Sequence, residues 1–456
     1  MHIHFIAIGG AIMHQLAIIS KQKGYIVSGS DDEIADPAKT NLEDAGLLPQ
    51  HPGWYPEKIT SALDAVILGM HAREDNPELL RAQELKIPIY SFPEYIYRHA
   101  RNKRRVVIAG SHGKTTTTSM VMHVLRHQDM DFDYLVGARI DGFDHSVRLT
   151  DAPVIILEGD EYPASALEKK PKIHFYHPHI AVLTGIAWDH INVFPTYDIY
   201  FEQFRVFLKK IEVNGELIYN AGDREVVRLI EEEKPSLKLQ PYATPHYDHR
   251  HDHVLLPTDY GDIALNIFGV HNLQNLEAAR KVCNSLGVSD FDFYDAIQSF
   301  HGAARRLEKI NDTGSLVVYR DFAHAPSKLK ATLEAAREQY PGHRLVAAFE
   351  LHTFSSLSME FLKQYANSMD ACDNGAVFYS QHALMLKKLP AIPPALVKSG
   401  FENNDLRVFE DPALLHYWIE QQIAGAEKPV CLLLMSSGTF EGMGLNFGKQ
   451  REEHLS

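Results

Sequence analysis

The sequence predicts an α/β protein made of three consecutive α/β segments. Short, continuously apolar runs recur along the chain, among them HFIAI, VVIAG, PVIILEGD, HIAVLTGI, RLVAAFELH and VCLLLMSSG, with helix-like stretches between them. Runs of this kind suit parallel strands covered on both faces. Two of the three segments also carry glycines directly after their first strand, Gly9-Gly10 and Gly110 to Gly113. The length of 456 residues suits two to four domains.

The first segment, residues 1–103, opens with the strand HFIAI. Gly9-Gly10 leads into IMHQLAIISKQKG, which reads as a helix ending at Gly24. YIVSGSD is the second strand and closes on Ser30 and Asp31; AVILGM and IPIYSF are two more. Strand, glycines, helix, strand and acid follow the logic of a dinucleotide-binding half, although a full GxGxxG needs glycines where Ala7 and Ile12 stand. The charged step RNKRR, Arg101 to Arg105, reads as a solvated linker.

The second segment, 104–306, begins with VVIAG and adds PVIILEGD and HIAVLTGI, each apolar and ending in polar residues. Ligands of open parallel sheets bind beyond the carboxyl ends of the strands, where Gly110–Thr115, Glu158–Asp160 and Asp189–His190 fall. The third segment, 307–456, repeats the pattern. SLVVYRDFAHAP is strand then loop, KLKATLEAAREQY is helical, and RLVAAFELH, GAVFYS and VCLLLMSSG are strands. HYDHRHDH, His246 to His253, lies in a polar stretch and reads as a solvated, mobile loop in preference to a metal site.

Formal net charge is −14, which argues against a nucleic-acid partner because such a partner needs a basic surface. Anionic small molecules stay open, since a local basic pocket can sit on an acidic protein. Cys283, Cys372 and Cys431 form no CxxC pair, so neither a zinc ribbon nor a disulfide framework is expected. No apolar run reaches the ~18–20 residues of a membrane helix. MHIHFIAIGG lacks the basic region and cleavage site of a signal peptide. The expectation is a cytoplasmic protein with no membrane partner.

IAGSHGKTTTT holds the ending of a phosphate loop, with Ile108 where the first glycine of G-x-x-x-x-G-K-[ST] is usual. Gly110 and Gly113 let the backbone approach an anion, and successive amides at the helix start cradle phosphate oxygens. Ser111, His112 and Thr116 complete the cradle. Lys114 adds positive charge toward the terminal phosphates, and the Thr115 hydroxyl suits Mg²⁺. Glu158, Asp160 and Glu161 stand close together after a buried strand, and their mutual repulsion predicts a divalent cation. Spacing leaves His190 open between a metal ligand and a strand-end histidine bonded to backbone. On this assignment Lys114→Ala abolishes nucleotide turnover and leaves the fold intact.

The motifs in order resemble the Mur ligases, ATP-dependent amide-bond-forming enzymes of peptidoglycan synthesis. They are IHFIAIGG, SGSDD, NPE, GSHGKTTTT, EGDEY, WDH, FGVHNLQNLEAA, GAARRLE and DFAHAPSKL, and they span nearly the whole chain. The resemblance implies a Rossmann-like N-terminal domain for the UDP-sugar, a central P-loop domain with a parallel sheet and flanking helices for ATP, and a Rossmann-like C-terminal domain for the amine substrate. EGDEYPASALEKKPKIHFYHP, RRLEKI and YRDFAHAP are similar to the recycling branch, which joins UDP-N-acetylmuramate to L-alanyl-γ-D-glutamyl-meso-diaminopimelate. The alternative is the branch that adds L-alanine. INVFPTYDIYFEQFRVFL lacks the carbamylated lysine of several other relatives, in keeping with both muramate-using branches.

By the same resemblance ATP and Mg²⁺ are required, with Lys114, Glu158, His190 and Arg306 at the chemistry, Thr115 as a ligand of one Mg²⁺ and Glu158 and His190 as ligands of a second. His271, Asn272 and Asn275 match the adenine-side motif, and Asp321 and His324 belong to the nucleotide. For Asn272 a helix-capping role stands beside that one. Gly9, Gly10, Ser30 and Asp31 would hold the UDP moiety, with His71 and Asn76 lining the same pocket; a purely structural role stays open for these. ELHTFSSLS puts His352 where the recycling branch usually has an arginine, on the side of the incoming amine. A monomer or homodimer is expected. An NAD-dependent dehydrogenase, a non-catalytic nucleotide-binding regulator and a folate-type ligase are rival readings. The first leaves GSHGKTTTT unexplained, the second has no use for a second metal, and the third has no use for a UDP-binding segment.

Overall fold

A computed structural model describes residues 1–165, 167–188, 191, 193–250 and 253–448. These form two compact units. The first holds Met1–Ile186, Phe201–Tyr242 and Ala278–Asp290, and the second holds Ala187–Tyr200, Ala243–Glu277 and the described part of Phe291–Ser456.

The first unit contains two sheets. The N-terminal one is parallel, with β1 (His2–Ile6), β2 (Ile26–Ser30), β3 (Ala65–Leu68) and β4 (Ile89–Ser91) in the order β2-β1-β3-β4. Four of the five residues of β1 and all of β3 are buried, as their uninterrupted apolar runs require. The helix Met13–Gln22 ends as expected just before Gly24, which takes φ +83°.

The central sheet has seven strands: β5 (Arg104–Ala109), β6 (Phe132–Leu135), β7 (Val147–Arg148), β8 (Val154–Glu158), β9 (Ile180–Leu183), β10 (Glu216–Asn220) and β11 (Lys238–Tyr242). Their order is β11-β10-β9-β5-β8-β6-β7, all parallel except the β6–β7 pair. β5 lies between β8 and β9, so the loops after these three strands converge at one edge.

The second unit carries a small antiparallel sheet of β12 (Asp248–His249), β13 (Val254–Thr258) and β14 (Gly261–Leu265). Its main sheet comprises β15 (Glu308–Asp312), β16 (Leu316–Asp321), β17 (Arg344–Leu351), β18 (Asn374–Tyr379), β19 (Arg407–Phe409) and β20 (Val430–Met435). The order is β15-β16-β20-β17-β18-β19, with only β15 antiparallel. Val346, Ala348, Phe378, Leu432 and Leu434 form its core with Leu415 and Ile419 of the helix Pro412–Ala424.

Two expectations are corrected. RNKRR is no solvated linker: Lys103 and Arg105 are 8% and 2% exposed. Lys103 Nζ lies 3.0 Å from Asp133 and donates to the carbonyls of Thr150 and Ala152. The Arg105 guanidinium donates to the carbonyls of Ala100 and Arg101, at the end of the helix Phe92–Ala100, and to Glu212 at 2.6 Å. Cations at a helix C-terminus satisfy its orphan carbonyls, so this step locks the first strand of the central sheet to what precedes it. In HYDHRHDH the residues Tyr247, Asp248 and His249 are held, while His246, Asp248 and Arg250 are exposed. Asp248 and His249 pair with Leu255 and Val254, His249 Nε2 lies 2.9 Å from Glu338, and Tyr247 donates to Glu338 at 2.8 Å. His251 and Asp252 lie outside the described residues.

Candidate active site

The phosphate loop joins β5 to the helix Lys114–His127. Gly110 takes φ +122°, and a Cβ there would lie 2.2 Å from Thr184 Oγ1, so only glycine fits. Gly113 takes φ +75° as the residue that opens the helix. The loop is braced from β9: Ser111 N–H donates to the Gly185 carbonyl at 2.9 Å, and the Thr184 hydroxyl donates to the carbonyls of Ala109 and His112. Ser111, Thr115 and Thr116 are buried.

Each carboxylate of EGDEY has its own partner. Glu158 accepts from the Thr115 hydroxyl at 2.8 Å and from Gly137 N–H at 2.8 Å. Asp160 pairs with Lys172 at 2.6 Å. Glu161, 1% exposed, pairs with Lys114 at 2.7 Å, while Lys114 Nζ also donates to the Gly110 carbonyl at 2.7 Å. Burial works against the Lys114 charge, but the carboxylates of Glu161, Asp160 and Glu158 outweigh it and hold the ammonium above its ordinary pKa. The repulsion expected among the three acids is therefore already offset within the protein and does not by itself demand a cation. Thr115 and Glu158 nevertheless offer two oxygens side by side at a helix N-terminus, a donor type that suits Mg²⁺. Asp189 and His190 lie outside the described residues. Among the described residues no group of three or more His, Cys, Asp or Glu side chains could hold a metal.

A second cavity of the same unit, about 880 Å³, is lined by Gly9, Gly10, Asp31 and His71 as expected, and also by Arg73 and Arg139. The two arginines escaped the sequence reading, because HARED and GARID carry no spacing signal. Asp31 accepts from Gly9 N–H at 2.7 Å and so ties the glycine turn to the end of β2. Burial, and to a smaller degree Asp32, push its carboxyl up; the Gly9 amide works the other way. Ala7 takes φ +63°, a left-handed conformation that favours glycine. Ser30 and Asn76 do not line the cavity, which corrects their expected place. Ser30 is fully buried and accepts from Lys58 at 3.3 Å. Asn76 caps the helix Pro77–Glu84, its side-chain oxygen accepting from Glu78 N–H and Leu79 N–H.

The remaining predicted residues lie in the second unit. Asn272 and Asn275 are buried on one face of the helix Val270–Ser285, and Asn272 donates its amide to the Phe268 carbonyl at 3.0 Å. Burial pushes the His271 imidazole down, and the charge of Asp321 opposes this. Asp321, at the end of β16, accepts from Leu307 N–H and from Thr332. His324 Nδ1 lies 3.0 Å from the Phe322 carbonyl. The Arg306 guanidinium sits 4.7 Å above the Phe322 ring. Arg305 sends its guanidinium to the Gly438 carbonyl. His352 follows β17, with Nδ1 3.5 Å from Glu350.

Parallel α/β sheets, a phosphate loop and an acid-terminated strand beside it define a nucleotide-binding enzyme of the phosphate-loop class. The chain matches the Mur ligase family catalytic domain over residues 2–104, the Mur ligase middle domain over 108–283 and the Mur ligase glutamate ligase domain over 305–438. It belongs to the Mur ligase family, and it is a ligase. It is 34% identical over 375 residues to a UDP-N-acetylmuramate–L-alanine ligase of Thiobacillus denitrificans, covering 78% of each chain. It is 28% identical over 459 residues to a UDP-N-acetylmuramate–L-alanyl-γ-D-glutamyl-meso-2,6-diaminoheptandioate ligase of Haemophilus influenzae, covering 97% of each. Among solved structures, a murein peptide ligase of Psychrobacter arcticus shares the fold with a TM-score of 0.65 at 22% identity, covering 97% of each chain.

Proposed function

We propose that the chain is an ATP-dependent, ADP-forming ligase that joins the carboxylate of UDP-N-acetylmuramate to the amine of L-alanyl-γ-D-glutamyl-meso-diaminopimelate in peptidoglycan recycling. The observation that carries the reading is the braced loop Gly110–Thr115, with its lysine and threonine bonded to the acids of EGDEY. A carboxylate is a poor acyl donor because its oxide leaves badly, and phosphorylation by ATP turns that oxide into a stabilised anion. The amine then displaces phosphate. Catalysis of this kind rests on positioning and charge neutralisation.

In this reading the amides of Gly110–Thr116 hold the triphosphate, and Lys114 leaves Glu161 for the terminal phosphates. Thr115 and Glu158 would hold Mg²⁺, which supplies countercharge when bound. Arg306, His271, Asn272, Asn275, Asp321 and His324 are assigned to the nucleotide, and His190 to the metal, by family likeness. Arg73 and Arg139 give the first unit's cavity the charge that a diphosphate needs. We divide the chain into domains at 1–103, 104–306 and 307–456, a division supported by three separate family segments at 2–104, 108–283 and 305–438. We place the enzyme in the cytoplasm, where ATP and the nucleotide-sugar are, as a monomer or homodimer. No described helix is long and apolar enough to cross a membrane.

The tripeptide is favoured by the likeness over 97% of both chains to the relative named for it. L-Alanine is the second reading, favoured by the higher identity to alanine ligases over a shorter stretch. An ADP-release assay with UDP-N-acetylmuramate and alanine, serine, glycine or tripeptide decides between them, with the product identified by mass. Preference for alanine overturns the first reading, and no ADP with any amine overturns both.

A further inference from the structure

The loop between β6 and β7 belongs to both ligand regions of the first unit. Its base extends the β6–β7 pairing by one bond, from Val136 N–H to the Ser146 carbonyl at 2.9 Å. Just inside that base, Gly137 N–H donates to Glu158 Oε2 at 2.8 Å, and Glu158 Oε1 accepts from the Thr115 hydroxyl of the phosphate loop at 2.8 Å. Further along, Arg139, Asp144, His145 and Ser146 line the cavity of about 880 Å³.

Two side chains from outside hold the loop. Arg126 stands in the last turn of the helix Lys114–His127, which the phosphate loop opens. It donates from Nη1 to the Gly142 carbonyl at 2.7 Å and lays its guanidinium 4.8 Å from the centre of the Phe143 ring. Gly142 takes φ +79°, and a Cβ there would lie 1.8 Å from Arg126 Nη1, so only glycine lets the guanidinium reach. Phe143 N–H closes the turn on the Ile140 carbonyl at 3.0 Å, Ile140 is 3% exposed, and the Phe143 ring packs edge-on to Tyr134 of β6. The second holder is Gln15, on the helix Met13–Gln22 that follows Gly9-Gly10, whose Oε1 accepts from Ser146 N–H at 2.6 Å. The loop is thus tied to the helix behind each set of glycines, while Arg139, Asp144 and His145 stay exposed toward a ligand.

We infer that Arg126 and Gln15 are positioning residues that make these two regions cooperate: an anion held by Arg139 strengthens the hold of Glu158 on a cation–nucleotide, and the reverse. This deepens the ligase reading and rests on it, since that reading puts the UDP-sugar in the cavity and ATP with Mg²⁺ at the phosphate loop. A carboxylate ligates a cation best in one orientation, and the Gly137 amide sets that of Glu158. Gly137 is only two positions from Arg139, so a diphosphate that pins the guanidinium also pins the amide. The cost of ordering the loop falls on whichever ligand arrives first, and linkage makes the gain equal in either order. Transmission needs the loop to respond as one piece. With Gly142 or Ser146 released, Arg139 can follow its ligand without fixing Gly137.

Calorimetry on the full chain tests this with UDP-N-acetylmuramate and the magnesium complex of a non-hydrolysable ATP analogue, each titrated alone and with the other present. In wild type each ligand is expected to tighten the other about fivefold or more, by the same factor in both orders. Arg126 lies outside the cavity lining. Arg126→Gln should therefore keep each single affinity within about twofold of wild type, while the coupling factor falls below about twofold. Arg126→Lys keeps a donor and a cation and should retain the coupling. Gln15 lines the cavity itself, so Gln15→Leu is read by the coupling factor alone, which should fall likewise. Leaving out Mg²⁺ should abolish the wild-type coupling, because the link runs through the cation's carboxylate. A merely structural role for Arg126 would weaken both single affinities and leave the coupling factor intact. That result, wild-type affinities independent of each other, or coupling that survives in both Arg126→Gln and Gln15→Leu overturns the inference and leaves the ligase reading standing. Wild type that binds neither ligand overturns the ligase reading and the inference with it.

Discussion

The Lys114–Glu161 pair changes what removal of the phosphate-loop lysine should do. Glu161 is 1% exposed and the Lys114 side chain 14%, so the bond between them is made away from water. Lys114→Ala leaves that carboxylate buried without its cation, a loss of about 3–5 kcal/mol. Glu161→Gln keeps an acceptor for Lys114 and exchanges a charged hydrogen bond for a neutral one, about 1–2 kcal/mol. The double variant buries neither charge. It should recover about 2 kcal/mol relative to Lys114→Ala, the two positions being strongly non-additive. At about 2–4 °C per kcal/mol, Lys114→Ala should melt roughly 6–20 °C below wild type, and the double variant several degrees above the single. The assay is melting of the nucleotide-free protein, with ADP release measured on the same samples. Both lysine variants should be inactive, and only one of them markedly unstable. A double variant that melts at or below Lys114→Ala refutes the reasoning, and the simpler expectation of an intact fold then stands. Nucleotide provides a cross-check: it should raise the melting point of Glu161→Gln more than that of wild type, because no carboxylate competes for the lysine.

Two other outcomes follow from the first unit. Arg139→Ala removes a guanidinium from the 880 Å³ cavity; steady-state kinetics should show KM for the UDP-sugar rising about tenfold at nearly constant kcat, the scale of one charged hydrogen bond, and an unchanged KM removes Arg139 from the pocket. His99 packs edge-on to Tyr95, and burial, then Lys23 and Lys103, push its imidazole down to about 4. The folded value lies below the unfolded one of about 6.5, so the unfolded chain takes the proton first. Stability is therefore lost as pH falls from about 6.5 toward 4, by about 2 kcal/mol once partial exposure is discounted. Urea midpoints for His99→Phe should be flatter across that window, and an identical pH dependence excludes His99 as the cause.

What the sequence revealed and what it hid divide along physical lines. β1, β3, β5, β8, β9, β17 and β20 were legible because strands buried on both faces must be apolar throughout. The edges were not. β11 reads KLQPY, with a proline and mostly exposed side chains, and β12 is only Asp248–His249, lost within a polar histidine-rich stretch. The phosphate loop was legible because its chemistry is local: strand, glycines, lysine and helix are consecutive. Partnerships across distance left no trace. Glu161 is 47 positions from Lys114, Glu212 is 107 from Arg105, and Ser436 is 86 from Glu350. RNKRR misled for the same reason, since Lys103 and Arg105 are buried against carbonyls and acids that only the fold brings near, while Arg101 and Arg104 stay exposed.

The same compensation bears on how the loop takes up its anion. A lysine already bonded to Glu161 and to the Gly110 carbonyl does not gain a full ion pair when phosphate arrives; it exchanges one. The affinity contributed by Lys114 is thus the difference between two charged contacts. Its full strength is reached only where the phosphate oxygens also receive the loop amides, which Glu161 cannot take. A lone anion such as inorganic phosphate offers few of those contacts and leaves the Lys114–Glu161 pair intact. A triphosphate spanning the loop, as the proposed function requires, would offer many and break it. On that reading the buried acid would act as a discriminator as well as a counterion, raising selectivity for the long polyanion by weakening the site for every short one.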